Sequence, residues 1–224
     1  VIFIQGGACS GKSKFAVDVA VAAESRLAAG RKVGFVSPLE RSLAAPGLQE
    51  RMDAQRSQRP RHWVQQDGAF QIDELANWCS ANTIGLLVFD GLNLWLGNEI
   101  TLKGESYAPS LLEAHCRKEM GALVRVLGHE LAKRGVWTIV CSGIVNEGLP
   151  AVHESGRLMR EVLSSAACSL VAQADVVCSM ESGLARTIKY PVRLRNELFS
   201  GARDVTPVIV MEPEFVGRIW GQGH

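Results

Sequence analysis

Eight residues near the start of the chain, Gly6-Gly7-Ala8-Cys9-Ser10-Gly11-Lys12-Ser13, have the types and spacing that phosphate chemistry requires. They match the pattern G-x-x-x-x-G-K-S, a Walker A loop, between an apolar run (Val1 to Gln5) and a stretch that reads as helix. The glycines let the backbone curl so that successive N–H groups point inward, and the helix start adds its positive dipole end. Lys12 is suited to bridge the β- and γ-phosphates of a nucleoside triphosphate, and the Ser13 hydroxyl to ligate Mg2+. Such a loop grips phosphates and not bases, so it admits ATP or GTP alike.

A second chemical residue is Asp90, which closes the apolar run Ile84 to Asp90 (IGLLVFD). A carboxylate at the end of a buried strand beside a phosphate loop is placed to hold Mg2+, which makes Lys12 and Asp90 the candidate catalytic pair and Ser13 and Asp90 the candidate metal ligands. The alternative is a strand-terminal aspartate that caps the next segment. Between loop and aspartate, the segment Glu50 to Trp63 holds Arg51, Arg56, Arg59 and Arg61, with Arg41 at a little distance. Guanidinium groups clamp phosphate or carboxylate bidentately, yet a solvated basic face has the same charge pattern, and both readings are open. His62 and Trp63 are a stacking or acid pair on one reading and structural on the other. No second His or Cys stands at metal-ligand spacing beside them.

These residues need a scaffold, and hydrophobic periodicity supplies one. Strands are expected over Val1 to Gln5, Arg31 to Ser37, Ile84 to Asp90, Val136 to Cys141 and Asp175 to Met180, with an extended ending from Arg186 to Lys189. Helices are expected over Lys14 to Ala29, Leu48 to Arg56, Leu111 to Arg134 with Gly135 at its C-cap, and Arg157 to Ala174. Pro38 to Gly47 reads as loop, and Thr206 to Met211 as a strand that Pro207 confines to an edge. Alternating strands and helices predict an α/β protein with a mostly parallel sheet and helices on both faces.

The 224 residues are 47% hydrophobic and 21% charged with a net charge of +1, a globular composition that gives no sign of a nucleic-acid partner. Six cysteines, none in a C-x-x-C pair, speak against a zinc ribbon or a redox motif and read as buried thiols in a reducing cytoplasm. With no export signal and no apolar run of membrane-spanning length, neither a membrane nor secretion is expected.

Beyond the loop, several segments resemble the bifunctional adenosylcobinamide kinase and adenosylcobinamide-phosphate guanylyltransferase family of cobalamin biosynthesis. The likeness runs from Phe3 to Lys189 and rests on Gly6 to Ser13, Arg56 to Trp63, Asp90 to Asn98 (DGLNLWLGN), Ala172 to Asp175 and Ser182 to Lys189. It implies a RecA-like P-loop NTPase fold over residues 1–189, a homotrimer or other homo-oligomer, and a corrinoid substrate with a free aminopropanol hydroxyl. Residues 190–224 fall outside it, as an added strand or an oligomer contact. By the same resemblance Ser37, Arg56 and Asp67 join Gly6 to Ser13 in the nucleotide site.

The departures are as informative. The histidine that takes up GMP in the family corresponds to Ala54, which has no nucleophile. The Asn-Glu-Val-Gly turn is replaced by Gly143-Ile144-Val145, and Asn146-Glu147-Gly148 restores the polar pair only with a shift of register. Ser164 to Cys168 replaces a Gly-Arg-x-Asn-Gln stretch, and Cys9 stands where the family loop has arginine. The expectation is a kinase acting on a corrinoid hydroxyl with guanylyl transfer lost. A diverged nucleotide switch or slow NTPase is the alternative.

Overall fold

A computed structural model describes residues 1–43, 46–144, 153–190 and 209–210. Among the described residues eight strands form one sheet in the order β3-β2-β4-β5-β1-β6-β7-β8. These are β1 (Ile2–Gly6), β2 (Lys32–Ser37), β3 (Val64–Asp67), β4 (Ile84–Asp90), β5 (Trp137–Gly143), β6 (Val176–Glu181), β7 (Leu184–Lys189) and β8 (Ile209–Val210). From β3 to β6 every neighbouring pair is parallel, whereas β7 and β8 are added antiparallel. The sheet is therefore mostly parallel, as expected, and β8 lies at its edge, where Pro207 placed a strand.

Alternation along the strands gives each face its own core. Ile2 and Ile4 of β1, Phe35 of β2 and Leu86 and Val88 of β4 pack under Phe15, Ala16, Val19 and Ala20 of α1 (Lys12–Glu24). On the other face Phe3, Val36, Leu87 and Phe89 meet α3 (Ile72–Ala81), α4 (Leu92–Gly104), α5 (Pro109–Arg125) and α7 (Glu154–Gln173). Residues i and i+1 of a strand point to opposite faces, so strands covered on both sides read as unbroken apolar runs. That is the composition of β4, all seven of whose residues are buried.

Some elements differ from the sequence reading. Helix α1 starts at Lys12 and not Lys14, because Gly11 takes a left-handed φ of 93° and turns the loop directly into the helix. It stops at Glu24, where i→i−3 bonds from Arg26 and Leu27 tighten the last turn. The expected helix from Leu111 is broken: α5 gives way to a π turn over Val126–Glu130 before the short α6 (Leu131–Lys133). Gly128 in that turn lies so close to Gln173 that a Cβ would meet its Oε1 at 2.2 Å. Helix α2 (Pro46–Ser57) begins at a proline, a residue suited to a first helical turn. Strand β3 and helices α3 and α4 are additional elements.

Candidate active site

Parallel strands of one sheet end at the same edge, and here β1, β4 and β5 end together: Gly6 is registered with Gly143, and Asp90 with Cys141. The crevice beyond such carboxyl ends is where α/β sheets bind ligands. It holds a cavity of about 560 Å³, lined by the loop from Ala8 to Lys14 and by Ser37, Gln55, Gln58, Asp90, Asn93 and Cys141. Ser37 and Asp90 thus line the same cavity as the loop.

The loop itself is braced from two sides. Gly6 leaves no room for a side chain, since a Cβ would lie 2.5 Å from the Met180 carbonyl oxygen. From β6 to β7 the chain turns through Ser182 (φ 50°) and Gly183 (φ 85°), a two-residue hairpin with both residues left-handed. The Gly183 N–H donates to the Ser10 carbonyl at 3.1 Å, so this hairpin fixes the middle of the loop. Lys12 Nζ donates to the Gly7 carbonyl at 2.6 Å and also contacts Ser10 Oγ. Burial lowers the Lys12 pKa, against the pull of nearby Cys141, Asp90 and Cys9.

Asp90 is 8% exposed, and burial raises its pKa. A hydrogen bond from Ser13 and the charges of Arg59 and Lys12 oppose that rise. A hydroxyl and a carboxylate in mutual contact at the edge of a phosphate loop are a pair of hard oxygen donors, the chemistry Mg2+ selects. The residues present therefore fit that ion. Among the described residues no cluster of three or more His, Cys, Asp or Glu is placed to hold a metal unaided, as befits an ion that shares its shell with phosphates and water.

The segment DGLNLWLGN is explained by this edge. Gly91, at φ 117°, turns β4 into α4. Asn93 Oδ1 accepts from the Gly143 N–H at 2.8 Å and ties α4 to the end of β5. Leu92, Trp95 and Leu96 enter the core, while Asn98 donates to the Pro38 carbonyl and accepts from the Glu40 N–H, holding the chain that leaves β2. The two asparagines escaped the sequence reading because their partners are backbone groups distant in the chain.

Arg56 and Asp67 lie next door. They line a separate cavity of about 310 Å³ with Arg41, Asp53 and Arg59, which shares Leu39 and Met52 with the loop cavity. Here three arginines of the cluster are paired: Arg41 with Asp53 in a two-bond fork, and Arg56 and Arg59 both on Asp67. Arg59 is the buried member, its guanidinium 3.8 Å from the centre of the Phe35 ring. His62 and Trp63 both bond to Glu24 Oε1, which makes them a structural tie between α1 and the chain after α2. Ala54 is exposed on α2. Cys9 and Cys168 are exposed, while the other four cysteines are buried as expected. Asn146 to Gly148 and residues 191–208 and 211–224 lie outside the described residues.

Fold and site together define an α/β protein with a phosphate-binding P-loop at the carboxyl edge of a mostly parallel sheet. Residues 2–188 match the family described as cobinamide kinase / cobinamide phosphate guanyltransferase, and the chain belongs to that family. Among curated proteins none matches it. Solved structures similar to it include a KaiC-like protein of the hyperthermophilic archaeon Pyrococcus horikoshii OT3. The two are 17% identical with a TM-score of 0.45, covering 95% of this chain and 86% of that one. Among the described residues no helix is long and apolar enough to cross a membrane.

Proposed function

We propose that the chain is a Mg2+-dependent kinase that transfers the γ-phosphoryl group of ATP or GTP to the free hydroxyl of a cobinamide, and that it does not form a protein-bound GMP. The observation that carries this reading is the meeting of Lys12, Ser13 and Asp90 at one cavity, with alanine at position 54. In this reading the loop N–H groups from Gly6 to Ser13 cradle the phosphates, and Ser37 lines the same chamber. Lys12 leaves the Gly7 carbonyl for the β- and γ-phosphate oxygens, where its charge offsets that which develops on the leaving group. Ser13 and Asp90 would hold Mg2+, which would supply charge neutralisation on the phosphates when bound. Arg56 and Asp67 serve the nucleotide from the adjoining cavity. Residues 1–189 form the catalytic unit, and residues 190–224 an added edge or a contact between subunits of a homo-oligomer.

The histidine that the family uses as a nucleophile has no substitute at position 54, since a methyl side chain cannot attack an α-phosphate. Two labels test the proposal. With γ-labelled ATP or GTP and adenosylcobinamide, label should move to the corrinoid. With α-labelled GTP alone, no acid-labile label should stay on the protein. Nucleotide binding without any labelled corrinoid would overturn the kinase reading in favour of a nucleotide switch or slow NTPase, and a phosphoramidate on the protein would overturn the second claim.

A further inference from the structure

Asn93 stands in the first turn of α4, shortly after Asp90, and lines the loop cavity together with Lys12, Ser13 and Asp90. Its amide is oriented by the protein. A backbone N–H can bond only to the oxygen of an amide, so the 2.8 Å bond from the Gly143 N–H fixes Oδ1 toward the end of β5. The amide lies flat against that glycine: a Cβ at Gly143 would stand 3.1 Å from Asn93 Cγ, 3.2 Å from Nδ2 and 3.3 Å from Oδ1. A side chain there would press on it. The bond to Gly143 uses the acceptor and leaves the donor unspent. Among the described residues Asn93 Nδ2 donates to no protein group, although the residue is partly buried.

A held donor on the wall of a phosphate cavity suits an anionic oxygen. The charged residues lining the cavity are Lys12, Lys14 and Asp90, and Lys14 is taken by Asp18. Lys12 attracts a phosphate oxygen and Asp90 repels one, so a neutral donor beside Asp90 offsets that repulsion without adding a charge. Its place along a triphosphate follows from its neighbours. Lys12, Ser13 and Asp90 are suited to the β,γ end, and Gly143, which anchors the amide, is registered with Gly6, where the loop begins. Resting on the triphosphate reading above, and not on the identity of the acceptor, we propose that Asn93 Nδ2 donates to an oxygen of the γ-phosphoryl group. In transfer the bond from the γ-phosphorus to the β,γ-bridging oxygen breaks and its electron pair stays on the nucleoside diphosphate. The new bond comes from the acceptor's hydroxyl oxygen, whose proton leaves to water. The amide keeps its protons throughout and offsets charge on the oxygens that are carried across.

Two substitutions separate the donor from the tie. Asn93→Asp keeps an oxygen for the Gly143 N–H and replaces the donor by an acceptor. Asn93→Ala removes donor and tie together and adds no charge. The probes are ADP and the non-hydrolysable β,γ-imido analogue of ATP, each titrated calorimetrically with Mg2+ present, with thermal unfolding on the same samples. We expect affinity for the imido analogue to fall about tenfold or more in both variants, as the loss of a hydrogen bond to a charged group requires. ADP affinity should stay within about threefold of wild type, and the aspartate variant should keep the wild-type Tm. Full affinity for the analogue in either folded variant overturns the proposal: retention in the aspartate variant would make Asn93 a brace for β5, and retention in the alanine variant would make the aspartate effect mere repulsion. An equal loss of ADP affinity overturns it as well. A wild type that binds neither nucleotide refutes the triphosphate reading instead.

Discussion

Replacing Arg59 by methionine tests whether the arginine cluster is a solvated face or a built part of the site. The Arg59 side chain is 3% exposed and bonds to Asp67 at 3.0 Å and Gln65 at 3.3 Å, with its guanidinium over Phe35. Removing one partner of a buried ion pair costs about 3–5 kcal/mol. Two features reduce that here. Asp67 is 26% exposed and keeps Arg56 at 3.3 Å, and methionine refills most of the space of the arginine stem. A loss of about 2–3 kcal/mol remains, which for a chain of this size lowers Tm by roughly 5–10 °C. Arg56→Met is the internal control, because Arg56 is 59% exposed and such pairs contribute at most about 1 kcal/mol. Thermal unfolding followed by circular dichroism, at low and at high salt, reads both. The Arg59 deficit should persist in salt while the small Arg56 deficit shrinks. Equal deficits for the two variants, or an Arg59 deficit below 2 °C, would show that the buried pair does not hold the end of α2 to β3.

Other perturbations follow from the same geometry. Asp90 binds its proton more tightly folded than unfolded because burial raises its pKa, so stability falls as pH climbs from the ordinary carboxylate range through the raised value. Asp90→Asn should therefore raise Tm at neutral pH, by a gap that closes in acid, while abolishing the extra thermal stabilisation that Mg2+ adds to bound ATP. A Tm at or below that of wild type at pH 7 would contradict the assignment of Asp90 as a buried, strained carboxylate. Gly183→Val forces a β-branched residue into a left-handed turn at a cost of about 1–2 kcal/mol. Since that turn holds Ser10, nucleotide affinity should fall along with Tm, and a loss of stability at full affinity would separate the hairpin from the loop. Asn98→Ala removes two hydrogen bonds to the chain after β2, about 2 kcal/mol in all, and should speed proteolysis near Pro38 to Glu40.

The parts of this structure that were legible in the sequence are those fixed by local pattern. Strand β4 has the bounds its apolar run suggests, because burial on both faces writes itself as continuous hydrophobicity. The loop from Gly6 to Ser13 was legible for the same reason: its glycines and lysine are contiguous. What was hidden depends on residues far apart. Nothing local in Val64-Gln-Gln-Asp67 announces a strand, since β3 is placed by pairing with β2 and remains only partly buried. The π turn at Gly128 answers to Gln173 on another helix. Which arginine of the cluster is buried was settled by Phe35 and Asp67, contributed by two strands that bracket α2 in the chain.

The separation of two chemistries follows from where their residues are anchored. Lys12 and Ser13 open α1 after the loop that leaves β1, and Asp90 ends β4, so their spacing is set by the sheet and the loop, with the central strands buried. Position 54 belongs to α2, a helix tied to its surroundings at the surface by Arg41 with Asp53 and by Arg56 with Asp67. Met52 and Gln55 of α2 line the loop cavity, three apart on one helix face, and Gln58 joins them from the turn that follows the helix. Ala54 lies exposed on α2, so a change there neither opens a void in the core nor disturbs the sheet-held cluster. On the proposed reading, a family with two activities can lose the one whose nucleophile sits on this helix. The activity built at the strand ends, for which the loop, hydroxyl and carboxylate are all retained, is left whole.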